Sequence, residues 1–224
     1  MNMDNAFMHY LSAFENPTSQ EPTIKESLMA IAYSIGRRSK CKKRRVGAIV
    51  VDENCNIISS GFNGVPNGLT DCHTEHGECY RDTYQRGLRE TISRQITNTA
   101  QSRALDVEMA NKISRNIVDR IKVLELCRAL HAEESSIINL VGRSQKQSSN
   151  SKDASWGSYT LYATTYPCNL CANRIVQSGI KKVVYYEPYP IEESKVIFKC
   201  GNVSAEPFEG VTFRAFFSAF NYEP

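Results

Sequence analysis

No apolar run in this sequence is long enough to cross a bilayer. The longest lies around Gly47 to Val51, far short of the roughly 20 residues that a spanning helix needs. Residues Met1 to Gln20 lack a basic start followed by an apolar core, so no secretory signal is read there. A cytoplasmic setting away from membranes is expected. Neither sign of charge dominates: the net is only +3, which does not demand nucleic acid as a partner. No aromatic-and-basic stripe offers stacking platforms for a single strand. There is no phosphate loop of the G-x-x-x-x-G-K type and no internal repeat. Eight cysteines are too few to scaffold 224 residues through disulfides. In a reducing compartment they are thiols available to a metal.

Two short stretches carry chemistry: His131-Ala132-Glu133, and Pro167-Cys168-Asn169-Leu170-Cys171. C-x-x-C alone is ambiguous, being a redox pair or half of a structural zinc site. H-x-E alone says less. Each half here opens a predicted helix, and the second follows a predicted strand. That conjunction is a known signature of zinc-dependent nucleobase deaminases. The physics agrees. Zinc takes imidazole nitrogen and thiolate sulfur in a tetrahedron, and a catalytic site leaves one position for water. His131, Cys168 and Cys171 supply three ligands. Cys168 and Cys171 are three apart, so a helix starting near them turns both toward one ion. Pro167 suits that helix start, where its missing N–H is no loss. Zinc lowers the pKa of bound water to ~7. Glu133, two residues from His131, can face that water without being a ligand and shuttle its proton.

The chain fits one domain with insertions. Residues 1–22 read as a polar leader, and 23–224 as a single domain with a helical, Cys/His-containing insertion at about 72–127. Thr23 and Glu26 form a capping box, and apolar residues from Ile24 to Ile35 keep helical spacing up to Gly36. Arg37 to Arg45 is basic; it reads as a solvated loop, or as one in which one or two side chains hold a phosphate. Val46–Asp52 and Asn56–Gly61 read as a hairpin. The following stretch, Gly61 to Gly68, is a tight loop that is either a plain turn or a place where backbone meets ligand.

Cys72, His73, His76 and Cys79 are crowded together, and Tyr80 to Leu126 predicts two helices broken near Asn98 to Ser102. His131–Val141 and Cys168–Ser178 are the two ligand-bearing helices. Gly142–Gly157 reads as a mobile loop, Tyr159–Thr164 and Lys182–Tyr186 as strands, Ile191–Lys199 as a helix and Gly210–Phe216 as a last strand. This order predicts an α/β fold with a five-stranded mixed sheet, helices on both faces, and the ligand helices side by side on one.

With these runs in hand, the chain resembles the deoxycytidylate (dCMP) deaminase family, within the cytidine deaminase-like fold. The matching stretches are Ser39-Lys40-Cys41, Val46-Gly47-Ala48, Gly61-Phe62-Asn63-Gly64, Pro66-Asn67-Gly68, His131-Ala132-Glu133, Pro167-Cys168-x-x-Cys171 and Gln177 through Tyr185. They cover most of residues 25–190 outside the insertion. The resemblance implies a three-layer α-β-α domain, Zn2+ as cofactor, conversion of dCMP to dUMP, and a homo-oligomer, by resemblance a hexamer. It implies that Asn63 hydrogen-bonds the sugar and that Ala132 also meets substrate. Asn67 and Gly68 would border an effector site near a subunit interface, where dCTP activates and dTTP inhibits, with Mg2+ accompanying the triphosphate. Some members hold a second, structural zinc. The positions that bind it are occupied here by Cys41, Cys72, Cys79 (or His76) and Cys127. The chain departs from the family after H-A-E, with Ser135-Ser136 where Asn-Ala is usual. Its long insertion and the run Arg128 to Glu134 also resemble anti-phage deaminase domains that deplete deoxycytidine nucleotides.

The expected function is deamination of deoxycytidine nucleotides, dCMP or also dCTP, for nucleotide metabolism or anti-phage depletion. The alternative is a polynucleotide deaminase on tRNA or single-stranded DNA, against which stand the low net charge and the missing stacking stripe. A zinc-holding scaffold without activity is the third reading; it would have no use for Glu133.

Overall fold

The computed structural model describes residues 21–99, 107–121, 127–147, 158–189 and 192–210, together with Thr212 and Ala215. In chain order the described elements are α1 (Ile24–Gly36), β1 (Gly47–Val51), β2 (Ile57–Phe62), α2 (Cys72–His76), α3 (Tyr80–Thr99), α4 (Val107–Val118), α5 (Ala132–Gln147), β3 (Thr160–Thr165), α6 (Asn169–Gln177), β4 (Lys182–Glu187), α7 (Glu192–Cys200) and β5 (Ser204–Pro207). They fall into two compact units. One comprises the described parts of Met1–Ser39, Arg45–Asn63 and His131–Pro224; the other comprises Lys40–Arg44 and Gly64–Leu130. No helix of the described residues is long and apolar enough to cross a membrane.

The first unit is α/β. β1 pairs antiparallel with β2 and with β3, while β3, β4 and β5 run parallel. The described sheet is therefore mixed, with five strands in the order β2-β1-β3-β4-β5. Parallel neighbours need a crossover, and α6 and α7 supply the two that are required. Side chains alternate across the sheet, as strand geometry dictates. Ala48, Val50, Leu161, Ala163 and Val183 are buried in one cluster; Ile49, Val51, Tyr162 and Val184 are buried in the other.

α1 covers the second cluster with Leu28, Met29 and Ala32. Its start is fixed by the expected capping box: Glu26 N–H donates to Thr23 Oγ1 (3.2 Å), and Thr23 N–H donates to Glu26 Oε2 (2.8 Å). The first cluster takes Ala132 and Leu140 from α5, Cys171, Ala172 and Ile175 from α6, and Phe198 from α7. Helices thus lie on both faces, and the two ligand-bearing helices share one. Burying side chains such as Leu161 or Ile175 contributes roughly 1.5–3 kcal/mol each, set against the entropy of ordering them.

The second unit is helical. Asp71 caps α2 through Thr74 N–H (3.0 Å), and Gly77 closes it in the left-handed region at φ 74°. α3 and α4 pack together. Ala110, Ser114 and Val118 are buried at four-residue spacing on α4, and Ser93 Oγ of α3 donates to Asn111 Oδ1 (2.6 Å). The predicted break near Asn98 to Ser102 is met by the end of α3 at Thr99; residues 100–106 lie outside the described ones.

Two boundaries differ from expectation. No loop begins at Gly142, because α5 continues to Gln147. Gly costs a helix about 1 kcal/mol, and the run that follows Gly142, rich in Arg, Gln and Lys, favours helix enough to carry on through it. Residues 148–157 are not among those described. The last strand predicted at Gly210–Phe216 is replaced by β5 at Ser204–Pro207; Thr212 and Ala215, the residues described beyond Gly210, are helical. β5 pairs where Val203 is buried and where Lys182 and Glu206 form a cross-strand ion pair (2.8 Å). The short run from Val203 lacks the strong β-propensity that the later aromatic stretch shows.

Candidate metal centre

The site is built at the starts of two helices. His131 sits just before α5, and its carbonyl accepts the first helical bond, from Ser135 N–H (2.9 Å). Glu134 reaches back with Oε2 to His131 N–H (3.4 Å), half of a capping box with His131 in the cap position. That leaves Glu133 in the first turn, 4% exposed. Three features hold this turn against β2. A Cβ on Gly61 would stand 2.4 Å from Ala132 O and 2.3 Å from Ser136 N, so only glycine allows the approach. Ser59 Oγ of β2 donates to Ser136 O (2.6 Å), and Ser136 Oγ donates to Glu133 O (2.7 Å). Cys168 is the N-cap of α6, in extended backbone (φ −71°, ψ 171°), and its carbonyl accepts from Ala172 N–H (2.8 Å). Cys171 follows in the first turn.

These two starts bring His131 Nδ1 to 3.4 Å from both Cys168 Sγ and Cys171 Sγ. A tetrahedral zinc with ordinary Zn–N and Zn–S bonds sets its nitrogen and sulfur ligands about 3.5 Å apart. The observed spacing fits that ion. Among the described residues this is the group of three or more candidate ligands whose donor atoms all lie within 4.8 Å of one another. Both sulfurs belong to buried residues, while His131 is half-buried. The Glu133 carboxylate is not one of the group, which suits a proton carrier beside a metal rather than a ligand.

The electrostatics favour a thiolate here. The Cys171 thiol and the His131 imidazole pull Cys168 down to about 4, against the cost of its burial. Cys171, sharing one proton with Cys168 and itself buried, is pushed up. Cys168 raises His131, with the charge of Glu133 adding to it and burial opposing it. Burial pushes Glu133 up, although its carboxylate accepts from Cys171. A dication would ionise both thiols outright.

The remaining expectations are placed as follows. Asn63 is buried at the end of β2, exchanging bonds with Val46: Val46 N–H donates to Asn63 Oδ1 (2.8 Å), and Asn63 N–H donates to Val46 O (3.1 Å). Ala132 is fully buried, backbone included, in the first core cluster. In the second unit, Asn67 and Gly68 occupy an exposed turn in which Leu69 N–H donates to Pro66 O (3.1 Å) and Gly68 has φ 89°. Cys41, Cys72, Cys79 and Cys127 are half-buried and are not disulfide-bonded. Burial raises the Cys127 thiol, against a backbone hydrogen bond at Ala129, and the nearby Cys79 and Cys41 add to the rise. They do not gather as tightly as the first set. His76 is engaged by Glu75 (3.5 Å) and the Tyr80 ring. The basic residues of the run, Arg37 to Arg45, are all exposed; Lys43 pairs with Asp82 (2.6 Å), Lys40 approaches Asp71 (3.7 Å), and Arg38 lies over Phe62.

Sequence reasoning passed over Glu134, Ser136 and Arg174. Glu134 carried a signal: it stands three residues after His131, the spacing of a capping box. Arg174 carried none, because its partner is on another helix.

The chain matches the family model for the cytidine and deoxycytidylate deaminase zinc-binding region over residues 22–187. It is 31% identical to the deoxycytidylate deaminase of Enterobacteria phage T2 over 169 residues, 73% of this chain and 79% of the relative. It is 31% identical to the deoxycytidylate deaminase of Saccharomyces cerevisiae over 188 residues, 84% of this chain but 45% of that protein. The chain thus spans less than half the length of the yeast relatives it matches. The dCMP deaminase of cyanophage S-TIM5, solved in complex with dCMP and dUMP, shares the fold at a TM-score of 0.51 and 26% identity, covering 85% of this chain and all of that one.

Proposed function

The chain belongs to the cytidine and deoxycytidylate deaminase zinc-binding family, and from that premise we propose that it hydrolyses dCMP to dUMP and ammonia. The observation that carries this reading is the convergence of His131 Nδ1, Cys168 Sγ and Cys171 Sγ beside a buried carboxylate that is not among the candidate ligands. Zinc held by these three residues supplies an acidified water and Lewis acidity. Glu133 does the proton work. It takes a proton from the water that adds to C4 of the base and delivers it to N3. It then takes the remaining proton from the new C4 hydroxyl and passes it to the departing amine as the C4–N bond breaks and the C4 carbonyl forms, so that water is consumed and ammonia leaves. Burial favours this role by holding Glu133 above the usual carboxylate range. Asn63, fixed by Val46, is the candidate for the sugar.

Finer points are part of the same proposal and rest on the resemblance. They are dCTP as an additional substrate, a role in nucleotide supply or anti-phage depletion, a cytoplasmic location, and one domain over 23–224 carrying the insertion. The Asn67–Gly68 turn would take a dCTP or dTTP effector with Mg2+ at an interface of a homo-hexamer. A second zinc on Cys41, Cys72, Cys79 (or His76) and Cys127 rests on the resemblance, with Cys79 and Cys41 near enough to Cys127 to raise its thiol. Metal analysis separates two zinc ions per chain from one.

The direct test is an absorbance assay with dCMP, dCTP, deoxycytidine and a cytosine-containing oligonucleotide. The expected order puts dCMP well ahead of deoxycytidine, since charge-assisted phosphate contacts are about twice as strong as neutral ones. Turnover of the oligonucleotide alone would overturn the reading.

A further inference from the structure

We propose that Glu134 and Arg174 form a positioning pair that sets the distance between the two ligand-bearing helices, and through it the geometry of the metal centre. Arg174 Nε of α6 donates to Glu134 Oε1 of α5 (2.9 Å). The other carboxylate oxygen of Glu134 accepts from the backbone N–H of His131 (3.4 Å). The Arg174 guanidinium, through Nη1, also donates to the carbonyl of Leu170 (2.9 Å). Leu170 lies between Cys168 and Cys171 in the chain. A chain of polar contacts therefore runs from the backbone of one metal ligand, through two side chains, to the backbone beside the other two.

The surroundings make this bridge matter. An open groove lies along the two helices, lined by Ile137, Ile138 and Val141 from α5 and by Asn173, Val176 and Gln177 from α6, with Glu134 and Arg174 on its wall. Ile138 and Val141 are exposed while Ile137 and Val176 pack against the core, so the pair bridges the two helices on the solvent side of their apolar contact. The Glu134 side chain is 19% exposed and Arg174 43%, so the pair contributes little to global stability after solvent screening. Its effect is geometric. Partners outside a metal's ligands commonly change affinity 10–100-fold by orienting them.

The proposal rests on the metal-centre reading, and the experiment separates the two. Glu134→Gln, Arg174→Ala and the double variant are compared with the wild type by zinc competition against a chelator, by the visible spectrum of the cobalt-substituted protein, and by circular dichroism. Glu134→Gln keeps an acceptor for His131 N–H, and alanine is a good helix former, so folding should survive both changes. Each single variant is expected to weaken zinc roughly 10-fold and to shift the cobalt bands, with kcat falling more than KM changes. The double variant should be no worse than the weaker single one, because both remove the same link. Single variants within twofold of wild type, or losses that multiply in the double, overturn the pair. A wild type that takes up no zinc or cobalt, or takes it up unchanged in His131→Ala, overturns the metal reading itself.

Discussion

Glu133 tests the chemistry most directly. It is buried, stands in the first turn of its helix, and is not among the candidate ligands. Glu133→Gln keeps its size and removes its ability to carry a proton. The expected result is unchanged zinc content, measured by elemental analysis, with turnover down ~10²–10⁴-fold. Residual activity above a few per cent would move the proton work to another group. The candidate set was legible in the sequence as two halves, His131 with Glu133 and Cys168 with Cys171, each at a short spacing that helix geometry converts into proximity; the meeting of the halves, 37 residues apart, comes from the fold. Arg174 was not legible: its partner Glu134 is 40 residues away in the chain (174 − 134), and only the packing of α6 beside α5 brings them together. The cysteines of the second unit show the opposite limit. Their crowding in sequence predicts a metal set, yet nearness along the chain does not bring their donor atoms as close as those of the first set.

Among elements, β2 and the start of α5 depend on each other. Gly61 lies where any side chain would strike the backbone at Ala132 and Ser136. Gly61→Ala should push the first turn of α5 away from the sheet, displacing His131 and Glu133 together. The expected outcome is a loss of several kcal/mol of stability, of the order seen for severe overpacking, along with weakened zinc binding. Thermal denaturation with metal analysis reads both; a stable, fully metallated variant would show that the turn can yield. Thr23→Ala is the milder counterpart. It removes one side of the α1 capping box and should cost about 1 kcal/mol in denaturant titration, with turnover unchanged, because α1 covers the sheet face opposite the site. Strand and helix identities were legible because the β-branched apolar run to Val51 and the Thr23–Glu26 box are local signals. The end of α5 and the position of β5 were not, because each was settled by competition between local preference and the edge or neighbour available to it.

At the scale of the whole molecule, the metal should behave as part of the fold. Its three candidate ligands stand at the starts of α5 and α6, and both helices pack on one face of the sheet. A ligand bound only to the folded state stabilises it by RT ln(1 + [L]/Kd), or ~4 kcal/mol at a thousandfold excess over Kd. For a chain of this size each kcal/mol moves the melting temperature by roughly 2–4 °C. Chelation should therefore lower the melting temperature by about 8–16 °C, and added zinc should restore it. The sign of the pH dependence follows from the ligand types. Zinc binds thiolates and neutral imidazole, so protons compete with it. The zinc-dependent part of the shift should be largest at neutral to mildly alkaline pH and should shrink as acid protonates Cys168, Cys171 and His131. Calorimetric scans with and without chelator, at neutral and at mildly acidic pH, measure this difference directly. A melting temperature indifferent to chelator at neutral pH, with zinc shown to have left, would mean that the two helix starts hold their geometry without the ion.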